Sequence, residues 1–382
     1  MTIPELLRHE LHAVFTNPAV LLTVFGGVFF YSILYPLPYA SQVPRDQRVV
    51  VVNLDGSQLS RSLERMVDAT PQVLIAEHAY TLEDARQLFI KKDMAGILVI
   101  PEHFHRDLLL GRSPTLSYAG DASYFLVYGT VLEGMAQAGG TLAAQAKVTR
   151  MVMSGQSQAL AAEQHSAIHL NIRSVFNPTS GYVNYVIPAI FVLILHHTLI
   201  MGAGILGGTQ KEMQAAGNGG YWLEAPPLKL IVVRASLLVA IYWLLTMFYF
   251  GVSFQFYDIP RRANLAELNL AIFPFLLSSA LLGICLGQIL PRREHTILVV
   301  LTSSMPLIFG SGFVWPVEAI PAPVTAIISY IPVVPGIKLF LGLNQLGGTF
   351  KALIPLWQQL WICAIIYGLF GWGLLHHRRR SG

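Results

Sequence analysis

Six stretches of this chain are apolar for long enough to cross a lipid bilayer, and that limits its fold before any motif is considered. A helix rises 1.5 Å per residue, so about 20 mostly apolar residues cover about 30 Å of hydrocarbon. The stretches are Ala19–Tyr35, Tyr182–Leu206, Leu230–Phe250, Leu268–Leu290, Thr296–Trp315 and Leu353–Leu375. Composition agrees. The 382 residues are 54% hydrophobic and 12% charged, against about 25% charged in an average soluble domain. So little charge cannot cover a water-soluble globule of this length, which argues against a soluble enzyme. The high hydrophobicity excludes a disordered chain. The net charge of +4 is mild, and membrane topology accounts for it without a nucleic-acid partner.

The charge is unevenly placed. Of the 25 Lys and Arg and the 21 Asp and Glu, 12 basic and 13 acidic residues fall within positions 38–181. This marks one soluble domain inserted into a membrane protein. The fold expected is a polytopic α-helical membrane protein with six transmembrane helices, an inserted α/β domain and a long helical arm. Its parts are an amphipathic helix over 1–18, a first transmembrane helix over 19–37 and the insert over 38–181. A five-helix transmembrane domain follows over 182–376, with a re-entrant outer segment over 316–350 and a basic tail over 377–382. The first apolar stretch reads as an uncleaved anchor: it is longer than a signal-peptide core, and Pro38-Tyr39-Ala40 is a poor cleavage site. Cys285 and Cys363 both lie in apolar runs and read as buried thiols, with no disulfide framework or zinc pattern.

Orientation follows the basic residues. With the N-terminus in the cytoplasm, the inner loops hold eight, namely Arg8, Lys211, Lys229, Arg292, Arg293, Arg378, Arg379 and Arg380, and the short outer loops hold four, Arg261, Arg262, Lys338 and Lys351. Arg234, one turn into the third stretch, is expected to snorkel to the inner face. Both termini are then cytoplasmic and the insert lies outside, in the periplasm of a Gram-negative cell. Ahead of the first stretch, Ile3, Leu6, Leu7, Leu11, Val14 and Phe15 recur at helical spacing, with Glu5, Arg8, His9 and His12 mainly on other faces. This predicts an amphipathic helix at the inner membrane surface, ending near Asn17-Pro18. It is either a plain anchor or a docking surface.

In the insert, strands are expected at 48–53, 72–76, 95–100 and 115–119, and helices at 57–69, 81–92 and 102–110. A helical arm over 122–172 is interrupted near Gly139-Gly140 or Ser154-Gly155. Thr81-x-x-Asp84 resembles a capping box. His165 and His169 have the i, i+4 spacing of metal ligands but no third ligand at a fixed spacing beyond Glu163, so a solvated helical face is the expectation and no metal is assigned. There is no G-x-S-x-G nucleophile elbow. Glu83-Asp84 sits at a helix start, where the dipole favours acids.

No G-x-x-x-x-G-K-[ST] occurs anywhere, so the chain has no P-loop of its own. The glycines of 202–208 read as helix packing or an end-cap. Ion coupling would place ionisable groups within the spans. His196-His197 is the main exception, read as neutral histidines bonded between helices or as a proton relay. The most unusual stretch is 313–348, apolar yet broken by Pro316, Pro321, Pro323, Pro332 and Pro335. A straight span cannot carry so many prolines. Two short helices dipping into the outer leaflet fit, and such a plug is where a pathway would be gated.

At this point the chain resembles the bacterial ABC-2 type exporter permeases, which have one helix, a large periplasmic domain and then five helices. The residues that carry the resemblance are Asn53-Leu54-Asp55-Gly56-Ser57-Gln58-Leu59-Ser60, Ile100 through Leu108 with Gly111-Arg112, and Asp121-Ala122-Ser123. Further along they are Phe176-Asn177-Pro178, Tyr185-Val186-Ile187-Pro188-Ala189, Gly312 through Pro321 and the Asn344-Gln345 pair. The resemblance implies no cofactor on this chain, with ATP and Mg on partner ATPase subunits. It implies a second permease copy or a paralogue, a periplasmic adaptor and an outer-membrane channel. The helix around Glu5, Arg8 and Glu10 looks like the connecting helix of such permeases. The inner loop at Gln210-Lys211-Glu212 looks like the coupling element, with Arg292, Arg293 and Glu294 a weaker candidate.

At the outer mouth, Tyr182, Asn184 and Tyr185 are candidates to line the exit, and interface anchoring explains tyrosines there equally well. Trp315, Pro316, Asn344 and Gln345 complete the candidate gate. Glu318 either fixes the re-entrant turn or touches substrate. The function implied is export of an amphiphilic substrate, a drug or a lipid, through the inner membrane. The alternatives are a membrane scaffold and a lipid-modifying enzyme that uses the outer domain.

Overall fold

The computed structural model describes residues 1–165, 175–177 and 180–381. His169, Pro178 and the end of the expected helical arm lie outside the described residues, as do the side chains of Arg379 and Arg380. The chain divides into two compact units, Met1–Ala40 with Val175–Gly382, and Ser41–Ser174. The first begins with α1 (Ile3–Thr16). Asn17 ends this helix and starts the next, its side chain accepting from Ala19 N and Val20 N. Pro18 then opens α2 (Pro18–Tyr39), since proline suits a first helical turn and breaks a helix interior.

The Ser41–Ser174 unit is built on a four-stranded mixed sheet in the order β2-β1-β3-β4, with β1 (Gln47–Asn53), β2 (Val73–Ala79), β3 (Gly96–Ile100) and β4 (Ser117–Gly120). β1 pairs in parallel with β2 and β3, and β4 runs antiparallel to β3. The Val49–Val52 run follows from that topology: a strand with helices on both faces is apolar without alternation. Val49 and Val51 pack with Leu63, Val67 and Phe104, while Val50 and Val52 pack with Ala85 and Met94. The helices are α3 (Gln58–Asp68), α4 (Leu82–Lys91), α5 (Phe104–Leu109), α6 (Phe125–Met153) and α7 (Gln158–Gln164). Thr81 caps α4 as its spacing suggests, accepting from Asp84 N. Of the two expected interruptions in the arm, Gly139-Gly140 is continuous helix and the break falls at Ser154-Gly155.

The membrane-type unit continues with α8 (Tyr182–Ala215), the short α9 (Tyr221–Glu224), α10 (Pro227–Phe256) and α11 (Leu265–Ile289). Then come α12 (Arg293–Gly310), α13 (Ala322–Ile328), α14 (Val333–Gln345) and α15 (Phe350–Ser381). Among the described residues five helices are long and apolar enough to span a membrane, α2, α8, α10, α11 and α15 up to Arg378, or six if the bent α13–α14 pair counts as one span. The expected fifth span, Thr296–Trp315, is not among them. It is the 18-residue α12, opened by Arg293, Glu294 and His295, which makes its apolar part shorter than that of its neighbours. α8 is the central helix, buried almost throughout. Its 34 residues reach about 51 Å, well beyond the roughly 30 Å of hydrocarbon. Gln210, Lys211 and Glu212 therefore sit on a helical extension and not on the loop expected for them.

α13 and α14 form a pair bent by 87°, the geometry foreseen for the proline-rich stretch. A bend leaves carbonyls without helical partners, and in lipid each must be satisfied by protein. One face of α15 supplies the donors. Gln359 Nε2 donates to Ser329 O at 2.8 Å, Cys363 Sγ to Tyr330 O at 3.1 Å and Tyr367 OH to Tyr330 O at 2.9 Å. Residues 359, 363 and 367 follow at i, i+4 and i+8, so one helical stripe serves the whole break. Gln359→Leu combined with Tyr367→Phe keeps the bulk and removes two donors. The expected result is a loss of about 1–3 kcal/mol for Ser329 O, which is left bare, and a smaller loss at Tyr330 O, which keeps Cys363 Sγ, seen as a lower thermal midpoint of the purified protein, with either single variant in between.

Candidate functional site

α1 carries three kinds of surface on one short helix. Thr2 and Glu5 form a capping box, with Thr2 N donating to Glu5 Oε2 at 2.8 Å. Those capping bonds hold the Glu5 carboxyl below its ordinary value. Leu6, Glu10 and Val14 are buried at i, i+4 and i+8, whereas Ile3, Leu7, Leu11 and Phe15 form an exposed apolar stripe. Glu5, Arg8 and His9 are exposed between them.

Glu10 departs from the sequence reading. Its side chain is 0% exposed and meets Arg234, itself 1% exposed, through two hydrogen bonds: Arg234 Nε to Oε2 at 2.9 Å and Nη2 to Oε1 at 2.6 Å. Arg234 Nη2 also donates to Gln210 Oε1 at 2.7 Å. Tyr221 OH donates to Glu10 Oε1 at 2.9 Å and accepts from Gln210 Nε2 at 2.9 Å. Burial pushes the Tyr221 hydroxyl well above its ordinary value, so it stays a donor. His9 stacks on the Tyr221 ring at 5.1 Å. Arg234 thus does not snorkel to the surface, and Glu10 presents nothing to a partner. The two lock α1 to α8, α9 and α10 in a closed polar network. Such a network is stable only when every charge in it is paired.

The neighbouring end of α8 is also committed to internal contacts. Lys211 Nζ donates to Gln288 O at 3.1 Å and to Leu290 O at 3.0 Å, neutralising the C-terminus of α11. Glu212 Oε1 accepts from Arg293 N at 2.9 Å at the start of α12. The turn from α11 to α12 lies directly against α8, where a Cβ on Gly287 would come within 2.9 Å of Gly204 O. Small residues are what such a close crossing requires. Arg378 Nη1 reaches Gln288 Oε1 at 2.9 Å, and its Nε reaches Gln214 Oε1 at 2.7 Å. Lys211, Glu212 and Arg293 therefore form a junction among α8, α11 and α12, while Arg292 and Glu294 are exposed beside it.

The residues expected at the outer mouth separate into two groups. Asn184, Asn344 and Gln345 are buried. Asn344 O accepts from Arg262 N at 3.0 Å, and Gln345 Nε2 donates to Pro260 O at 3.2 Å. Tyr182 stacks on Tyr39 at 5.1 Å, and the Tyr185 hydroxyl donates to Phe313 O. Trp315, Pro316 and Glu318 are exposed. Glu318 makes no side-chain hydrogen bond or ion pair among the described residues. In the bundle core, His197 Nδ1 lies 3.5 Å from Ser304 Oγ, and both ring nitrogens of the buried His196 are without a hydrogen-bond partner among the described residues. Among the described residues no group of three or more His, Cys, Asp or Glu is placed to hold a metal ion.

These features define a multi-pass helical membrane protein whose N-terminal surface helix is fastened to the ends of its central spans by a buried ion pair. A family model described as ABC-2 family transporter protein matches residues 18–374. The chain belongs to that family, as the resemblance of its motifs implied. It is a membrane permease of an ABC transporter, the transport subunit that works with ABC ATPase subunits. A comparison with curated proteins gives no significant match.

The Arg234–Glu10 pair was missed by sequence reasoning, although a signal existed: an arginine inside an apolar span asks for a partner. Glu10→Ala leaves Arg234 buried and unpaired, which costs about 3–5 kcal/mol. Glu10→Leu with Arg234→Met removes both charges and is expected to restore most of the stability. Thermal unfolding of the three proteins in one detergent checks both expectations.

Proposed function

We propose that this permease exports an amphiphilic substrate, a drug or a lipid, from the inner leaflet or cytoplasm, driven by ATP and Mg on its partner ATPase. In this reading it lies in a bacterial inner membrane with both termini cytoplasmic and the Ser41–Ser174 unit periplasmic. α12 is a sixth, shorter span, and a second permease copy or a paralogue completes the pathway. A periplasmic adaptor and an outer-membrane channel receive the substrate.

The observation that supports this best is the Glu10–Arg234 lock. A surface helix tied through a buried charge pair to α8 and α10 cannot shift without moving both spans, which is what a coupling helix needs. Glu5 and Arg8, exposed on the same helix, are the groups that face the ATPase, with Arg292 and Glu294 beside them. Lys211, Glu212 and Arg293 pass the motion on to α11 and α12. The bent α13–α14 pair, with Trp315 and Glu318 exposed ahead of it, is the proposed outer gate.

Tagged protein co-expressed with its ATPase tests the assignment. Arg8→Glu, at an exposed position outside the Thr2–Glu5 capping box, is expected to reduce the recovered ATPase by several-fold, the effect of losing about 1–2 kcal/mol at an interface, without lowering the thermal midpoint. Full ATPase recovery together with normal transport would remove α1 from the coupling path.

A further inference from the structure

We infer that the Ser41–Ser174 unit carries a binding cleft for a single-chain amphiphilic anion, in which apolar residues and small side chains receive the chain and three cations receive the head. One face of α6 builds half of it. Gly139, Leu142, Ala143, Ala146, Lys147 and Arg150 recur at the three- and four-residue steps of a helical stripe. Glycine and alanine leave space along the stripe, Leu142 lies at its buried end, and the two cations stand at the other. Opposite, Phe104 closes the floor with Leu142, both at 4% exposure or less, and Arg112 adds a third cation from the turn after α5.

The volume is about 280 Å³, near the lower end of the roughly 300–1,000 Å³ of small-molecule pockets. That suits one chain better than a two-chain lipid. No acidic residue lines the cleft. Asp107 bonds Arg106 and Arg112 from outside it, at 3.5 and 3.6 Å, while Lys147 and Arg150 have no ion-pair partner among the described residues. The turn keeps room for Arg150. Gly111 has φ +74°, and a Cβ there would stand 2.3 Å from Arg150 Nη1. A side chain at 111 would displace the guanidinium from the rim. Cations at the rim of an apolar lining, over a floor without acids, complement an anionic head on a hydrocarbon tail.

The chemistry of the cleft is independent of which partners the membrane unit binds. The full-length protein in phosphatidylcholine nanodiscs, titrated calorimetrically with submicellar laurate and dodecyl phosphate against empty nanodiscs, tests it. One saturable site is expected for both. Affinity should fall at least tenfold in Lys147→Glu with Arg150→Glu, and likewise in Ala146→Trp, which fills the cleft. The milder Lys147→Gln with Arg150→Gln, at exposed positions, should weaken binding at an unchanged thermal midpoint. Dodecyltrimethylammonium and inorganic phosphate are expected not to saturate. Three outcomes would overturn the assignment: no site beyond empty nanodiscs, laurate binding unchanged by all three variants, or inorganic phosphate or the cationic amphiphile binding as tightly as dodecyl phosphate.

Discussion

A carboxylate and a guanidinium buried together among apolar helices set the conditions for much of this molecule. Neither Glu10 nor Arg234 could stay charged there alone, because an unpaired ion in a low-dielectric interior costs several kcal/mol. Paired in a two-bond fork and joined by Gln210 and Tyr221, they are satisfied only while α1, α8, α9 and α10 keep their mutual positions. The rotation of α1 about its own axis is then fixed. Its buried stripe points inward, Ile3, Leu7, Leu11 and Phe15 lie on a separate exposed stripe, and Glu5 and Arg8 are exposed between them. A helix held only by apolar contacts would have no comparable reason to keep one register.

The same rule, that polar groups removed from water need partners, shapes the far part of the bundle by different means. There the groups are backbone carbonyls released at a sharp bend, and the donors are Gln359, Cys363 and Tyr367 on a single stripe of α15. Cys363, which composition marks only as a buried thiol, is one of these donors. The residues expected at the outer mouth are both buried and exposed, and the exposed Tyr185 also serves a backbone group, Phe313 O. Gln345, on Pro260 O, is buried, while Trp315 and Glu318 stay exposed.

Local periodicity made much of the fold legible. The valine run of β1, the Thr81 cap, the break at Asn17-Pro18 and the prolines that bend the α13–α14 pair all act within a few residues of themselves, and each is where the sequence puts it. Errors arose where length or contact decided. α12 is too short and too polar at its start to match its neighbours. α8 runs on far enough to take Lys211 and Glu212 out of a loop. Glu10, counted among surface charges, belongs to the interior.

By itself, then, the sequence determined the class of the protein: apolar runs of bilayer length, one charged insert, no nucleotide motif and a proline-broken segment. Those properties depend on composition and spacing along the chain. Only the tertiary structure decided which charge meets which, since Glu10 and Arg234 are 224 residues apart and nothing in their local patterns names the other. It also decided that Lys211 caps α11, that one stripe of α15 completes the bend, and that α6 brings Lys147 and Arg150 to the rim of a cleft floored by Phe104. Helix faces are readable from periodicity. Which faces meet depends on packing between elements far apart in the chain, and that packing is where this protein's polar chemistry is assembled.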